Sequence, residues 1–386
     1  MNASPHERQP MWSTREEMEA VLAQAGLGEW SPRLAAAARH AIILEPGHVE
    51  EGADAPIGTS RLGGMPDLPP EVPWPWRPAL PSGGWKELPQ NLQKLLHLER
   101  AHEARSWPLS FIAQIDFAEI LSAGGLEGFP SSGRLFFFCD PVAYPWGAKI
   151  DDQACASVMF LREPTDRLSR RDLPAELSEP GKVARPEAFK FRPRRLTPRL
   201  WLLPPPDGSR EIMAFGDVPL ASPLDWRRRW AAEREAYKRF WHDLAARHPS
   251  AFGAHWPSTG GEIHQVGGIP FSIGDPVEMD CVKFAEDDYS NHPMEKGWYE
   301  LVRSRDGPPD EWPDFEERWQ AHCAFTERER ARHFERADGW QLVLQVDSDL
   351  AAGMQWGDVG RLNVCIRKLD LAERRFNRCW TVLQCS

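Results

Sequence analysis

Leu109–Phe117 reads LSFIAQIDF, and Trp340–Asp349 reads WQLVLQVDSD. Both alternate well enough for a half-buried strand, and both close on Gln, a β-branched residue and Asp, so the chain carries one strand pattern twice. Working outward, two more blocks repeat in the same order. SRLGGMPDL (60–68) matches HQVGGIPFS (264–272), and SSGRLFFFCD (131–140) matches DVGRLNVCIR (358–367). A duplicated unit with an apolar sheet face buries that face against its twin. The expected fold is therefore α+β and internally duplicated. Two pseudo-symmetric antiparallel β-rich halves would surround one core, with helices at the N-terminus and in the central insertions. Residues 1–40 read as a helical lead-in and 41–386 as a single domain. Within it, repeat one covers about 41–161, an insertion about 162–250, and repeat two about 251–386.

The paired glycines of each G-G-x-P admit positive φ or a close backbone approach, and the proline stiffens the exit. Gln114 and Gln345 become equivalent positions, as do Asp116 and Asp347, suited to joining loop to strand by hydrogen bonds. With GTSRLGGMPDLP, PLSFIAQIDF, FPSSGRLFFFCD, HQVGGIPF, LVLQVDSD and MQWGDVGRLNVCI in this order, the chain from roughly Ala41 to Cys385 resembles the YwqG-like family of bacterial cytosolic proteins of unknown function. The resemblance implies a duplicated α+β fold built on antiparallel sheet, and it brings no catalytic residues with it.

Around these blocks, Ser13-Thr14-Arg15-Glu16 reads as a capping box opening a helix to about Ala25, and Pro32 opens another through His40. AIILEPG turns extended. Gly52 to Gly84 is a Gly/Pro-rich shaped loop, with Trp74 and Trp76 as anchors. ACASVMFL (154–161) reads as a third strand of a meander, and Arg162 to Pro206 as an irregular excursion with an edge strand near Phe189–Phe191. The spacing of Trp226, Trp230, Tyr237, Trp241 and Leu244 predicts a helix over 224–247, and Phe315, Trp319 and Cys323 another over 311–336.

The 386 residues, 41% hydrophobic with 18 Trp and 18 Phe, are those of a folded globular protein. A net charge of -11 opposes general attraction to nucleic acid or anionic membrane and suits a basic partner. No apolar run reaches signal-peptide or membrane-span length, so the expected compartment is the cytoplasm. Seven scattered cysteines without a C-x-x-C read as reduced thiols.

No G-x-S-x-G, H-E-x-x-H, P-loop or G-x-G-x-x-G is present, and His322-Cys323 reads as structural. Asp347, Asp349 and Asp358 take positions 1, 3 and 12 of a calcium loop. Ala351 and Ala352 at positions 5 and 6, and the strand leading in, reject an EF-hand. A looser divalent-cation site at Asp347, Asp349 and Asp358 stands against the reading of Asp347, Ser348 and Asp349 as turn formers. No other cofactor is expected. The expected binding residues are Arg61, Gln114, His264, Gln345, Asp347, Asp349, Trp356 and Asp358. His264 weighs between acid/base group and loop tie, and Trp356 between core plug and interface anchor. The favoured function is a non-enzymatic binding module for a protein partner, toxin-neutralising or regulatory. The alternative is a metal-dependent hydrolase or small-ligand binder on the aspartate loop, and a nucleic-acid binder through Arg192–Arg199 ranks below both.

Overall fold

The computed structural model describes residues 12–49, 56–81, 96–181, 185–215, 223–252, 263–304 and 314–385. Among them ten strands form one antiparallel sheet: β1 (Arg39–Val49), β2 (Arg61–Leu62), β3 (Ser110–Asp116), β4 (Arg134–Cys139) and β5 (Ala156–Leu161), then β6 (Arg194–Leu203), β7 (Gln265–Gly267), β8 (Trp340–Asp347), β9 (Arg361–Arg367) and β10 (Trp380–Gln384). Their order in space is β10-β9-β8-β7-β1-β6-β2-β3-β4-β5. β1 and β6 lie side by side at the centre, Arg39 opposite Leu203 and Pro46 opposite Leu196. From this pair one arm runs through β7 to β10 and the other through β2 to β5. The arms are exchanged: β1 pairs with β7, placing Ile42 opposite Val266, and β6 pairs with β2, placing Arg194 opposite Leu62.

Central strands seldom hold proline, because it breaks the ladder. Pro46 and Pro198 escape that cost through the shortness of their neighbours. The Leu44 amide donates to the His264 carbonyl at 2.8 Å, so the ring nitrogen of Pro46, two residues on, faces the same side past the end of β7. Leu196 likewise donates to the Ser60 carbonyl at 3.0 Å, and Pro198 lies past the end of β2. The segment read as an irregular excursion with an edge strand near Phe189–Phe191 thus supplies a strand at the middle of the sheet. Phe189 itself ends a 3₁₀ turn, Pro186–Phe189.

The sheet curls until its two outer strands nearly meet. Residues 145–153, just ahead of β5, bridge to β10: the Leu383 amide donates to the Pro145 carbonyl at 3.0 Å, and Gln153 exchanges two bonds of 2.9 Å with the Thr381 backbone. Inside lies the main core, with Ile115, Leu135 and Phe137 from one arm packed with Val346, Leu362 and Val364 from the other. Outside, β1 and β6 are covered by α1 (Arg15–Leu22), α2 (Ser31–Ala37) and a helix at Pro223–Arg247, whose Tyr237, Trp241 and Leu244 pack on Ile43 and Trp201. The cap of α1 is one residue later than expected. Thr14 Oγ1 accepts from the Glu17 amide at 3.2 Å, and Glu17 Oε2 accepts from the Thr14 amide at 3.3 Å. α2 ends at Ala37 because Arg39 and His40 already belong to β1.

Of the loop anchors, Trp74 donates to the Leu109 carbonyl at 2.9 Å, whereas Trp76 is 48% exposed. All seven cysteines are free thiols, with Cys139, Cys155, Cys281 and Cys365 buried. No helix among the described residues is long and apolar enough to cross a membrane.

Both glycine pairs are left-handed: Gly63 and Gly64 at φ 58 and 71, Gly267 and Gly268 at φ 64 and 72. A Cβ on Gly268 would sit 2.6 Å from the Ala41 Cβ of β1. Gly268→Ala therefore combines a forbidden conformation with a clash at the central pair. Its expected cost is on the order of 2 kcal/mol in urea unfolding. Gly297→Ala, in a helix with nothing near its added methyl, should be neutral or stabilising by up to about 1 kcal/mol.

Candidate functional site

The repeated Gln and Asp tie loops to the sheet. On β3, Gln114 Oε1 accepts from the Asp67 amide at 2.9 Å, and Gln114 Nε2 donates to the Thr59 carbonyl at 2.9 Å and to Asp67 Oδ2 at 3.0 Å. On β8, Gln345 Oε1 accepts from the Phe271 amide at 3.0 Å, and its Nε2 donates to the Ile263 carbonyl at 3.1 Å and Asp347 Oδ1 at 2.9 Å. Asp116 and Asp347 each donate a backbone N–H to the residue that opens the Gly-Gly block, Ser60 Oγ at 2.9 Å and His264 Nδ1 at 3.3 Å. Each also pairs with the first arginine of the following strand, Arg134 at 3.1 Å and Arg361 at 3.4 Å.

Charge separates the two arms. Asp67 is clamped between Arg61 and Arg170. Burial raises its pKa, but hydrogen bonds and the field of Arg61 outweigh that and leave it below the ordinary value. The second arm has Phe271 there instead, and its buried charges gather on Asp349. Arg194 reaches Asp349 at 2.5 Å, the Ala352 amide donates to it at 2.8 Å, and His264 Nε2 lies 3.6 Å away. Although burial works the other way, the nearby His264 ring, the bond from the Ala352 amide and the field of Arg194 hold Asp349 down at about 2. Asp347 is pushed up to about 6 by burial, against the pull of Arg361.

Arg61, Gln114, His264, Gln345, Asp347, Asp349 and Trp356 are thus all buried, at 2% exposure or less, while Asp358 is exposed. Trp356 is enclosed, its ring 5.7 Å from Phe191. Asp347 and Asp349 face arginines, and they do not gather with Asp358. Among the described residues, the donor atoms that lie within 4.8 Å of one another are those of Asp287, Glu329 and His333. Two of these are already engaged, Asp287 by Arg336 at 2.6 Å and Glu329 by Arg332 at 2.7 Å.

A cavity of about 590 Å³ lies elsewhere, at the end of the sheet where β1 begins and β6 ends. Its walls come from the loop Gly124–Phe129, from Gly268 and Ile269 after β7, and from Trp340 and Gln341 at the start of β8. Two short helices, α3 (Arg210–Met213) and α4 (Val277–Asp280), close it and contribute Glu211 and Glu278. Arg15, Arg39, His40 and Lys368 stand at its rim. Arg210 and Lys368 are tied to Asp338, at 2.9 and 3.1 Å, and Arg15 donates to the Ala38 carbonyl. The Arg39 side chain is exposed and makes no hydrogen bond or ion pair among the described residues.

Glu278 is 7% exposed. Burial, and then the carboxylate of Glu211, raise its pKa to about 7 against a bond from its own backbone amide and the weaker pull of Arg210. Like-charged buried carboxyls in a cleft are a recurrent sign of a working site. No motif announces this pair. The signal available in the sequence is a glutamate flanked by Val277 and Met279 in a stretch whose neighbours are core.

Glu278 also has a stability signature. Its proton stays bound in the folded state above pH 4.5, where the unfolded chain has released it, so folding stability falls as pH rises towards 7 and is flat beyond. Glu278→Gln removes that loss. The variant should be more stable than the parent by about 3 kcal/mol at pH 8 and close to it near pH 4.5, by calorimetry at both values.

No curated protein matches the chain. Residues 60–385 match the family model described as a domain of unknown function, DUF1963, and the chain belongs to that family.

Proposed function

We propose that this protein binds a small polar ligand bearing a carboxylate or phosphate, in the cleft between the Gly124–Phe129 loop and β1. The observation that carries this reading is Arg39, a guanidinium that makes no bond among the described residues and lines a 590 Å³ cavity. Arginine recognises planar oxyanions by paired hydrogen bonds, and the volume suits a metabolite-sized molecule. The reading belongs to the small-ligand class expected from sequence but moves it from the aspartate loop to the cleft. The likeness of the chain to YwqG-like proteins, and its origin by internal duplication, form part of the same proposal. Duplication is supported by the matched bonds of Gln114 and Gln345 and by the five-strand arms on either side of the β1–β6 contact. The two glycine pairs would then be one device used twice, and the cleft an elaboration of one copy.

Gln341→Trp, which fills the mouth from the start of β8, tests it. A screen of carboxylated and phosphorylated metabolites by thermal shift should find compounds that raise the Tm of the parent and leave the variant unmoved, as mass action requires. Equal shifts in both proteins, or none in either, would refute the cleft.

A protein partner, the function favoured from sequence, is supported by a different surface. Trp298, Phe315 and Trp319 cluster where Pro293–Ser304 packs on Phe315–Arg336, with ring centroids 5.4 and 6.2 Å apart. Trp319 is 43% exposed, and Met294 and Val302 beside it 41% each. Exposed aromatics of this kind anchor interfaces. Trp319→Glu should abolish saturable capture of a partner from lysate, and unchanged capture would remove this second reading.

A further inference from the structure

We infer that Glu211 and Glu278 receive an ammonium group of the ligand, so that the cleft takes a zwitterion whose anionic end lies towards Arg39. This rests on the cleft reading and adds to it the other end of the molecule. Three observations converge. Both carboxyls line the cavity, Glu211 on α3 and Glu278 on α4. Glu278 is 93% buried by its 7% exposure, and Glu211 Oε2 is buried without a hydrogen-bond partner among the described residues. The nearest cation is committed elsewhere: Arg210 sits 3.9 Å from Glu211 but bonds Asp338 at 2.9 Å. A pair of carboxyls left in this state in a cavity is a receptor for a cation or a multiple donor.

Arg39 of β1 and Arg15 of α1 line the same cavity, so a dication would be repelled where a zwitterion is welcomed. The groups that set the charge of the pair come from every wall. They are Arg210 beside Glu211, Asp280 on the helix of Glu278, Asp338 ahead of β8 with Lys368 bonded to it, and the basic groups of β1. Empty, Glu278 holds a proton, because burial and the neighbouring Glu211 carboxylate disfavour its charged form. An entering ammonium replaces that proton, which leaves to solvent, and both carboxylates then face one cation. No covalent bond forms or breaks apart from the carboxyl O–H.

The fall of stability with pH and the binding of an ammonium are two consequences of the same buried pair. The first is intrinsic to the empty protein, and the second is read only with ligand present.

Calorimetric titration at pH 6.5 in two buffers of different ionisation heat tests the inference, with glycine, 4-aminobutyrate and 6-aminohexanoate as probes, since the span between the two ends selects the length. Hexanoate and hexylamine serve as half-molecules. At least one ω-amino acid should bind more tightly than either half-molecule and release about one proton. Glu278→Gln, which also relieves the strained pair and so folds, should weaken that probe about tenfold and abolish the proton release, with Glu211→Gln behaving alike. Hexanoate should bind both proteins equally. Binding of hexanoate as tight as that of every ω-amino acid, with no proton released, would overturn the ammonium assignment while leaving the cleft in place. Failure of all five probes, or indifference to both glutamine variants, would overturn it as well.

Discussion

The antiparallel contact between β1 and β6 is the constraint on which the rest of the molecule hangs. Each strand comes from one part of the chain and supports the arm of the other, through Ile42 on Val266 and Arg194 on Leu62. Neither arm can curl or close without the pair. Gly268 must approach β1 to within contact of Ala41, and Gly64 must approach Pro193 just ahead of β6. Gln114 and Gln345 then fix the loops that follow by satisfying backbone groups that burial would otherwise leave without partners. These polar ties are fully enclosed, which is why residues resembling a binding site on paper act in the fabric of the sheet.

The same constraint creates the cleft. At the end where β1 begins and β6 finishes, the loop before β4 leans over Gly267, whose missing side chain leaves room for Leu126. Arg374 holds that loop from the other side by bonding the Gly128 carbonyl. Helices α3 and α4 bring two carboxyls to the wall of the cleft, and β1 brings a guanidinium that makes no bond among the described residues. A cavity lined by both carboxyls and guanidinium groups has a fixed charge pattern before any ligand arrives, and a preorganised field of that kind selects by charge more than by shape.

How much of this the sequence discloses depends on whether a residue acts within a repeating pattern. The strands around Gln114 and Gln345, the glycine pairs and the late helices are legible, because local periodicity and turn chemistry dictate them. β6 is not, since Pro198 and a run of arginines hide a central strand whose proline lies just beyond the reach of β2. Trp356 in a Gly-rich loop gives no local sign of the Phe191 that covers it. The cleft is least legible of all. Arg39, Glu211, Glu278 and Lys368 meet only through the closure of the sheet, and each is an ordinary charged residue in its own surroundings. The aspartate loop misleads for a related reason: Asp347 and Asp349 look alike in sequence, yet burial against Arg361 pushes one up and Arg194 with His264 holds the other down.

The most direct test of a cleft that keeps a protonated carboxyl in its wall is carbon-13 NMR of the glutamate side-chain carboxyls, followed through pH in the ligand-free protein. One glutamate signal, lost in Glu278→Gln, should titrate near 7. If every glutamate carboxyl titrates near 4.5, the pair is open to water, and the cleft is not the site described.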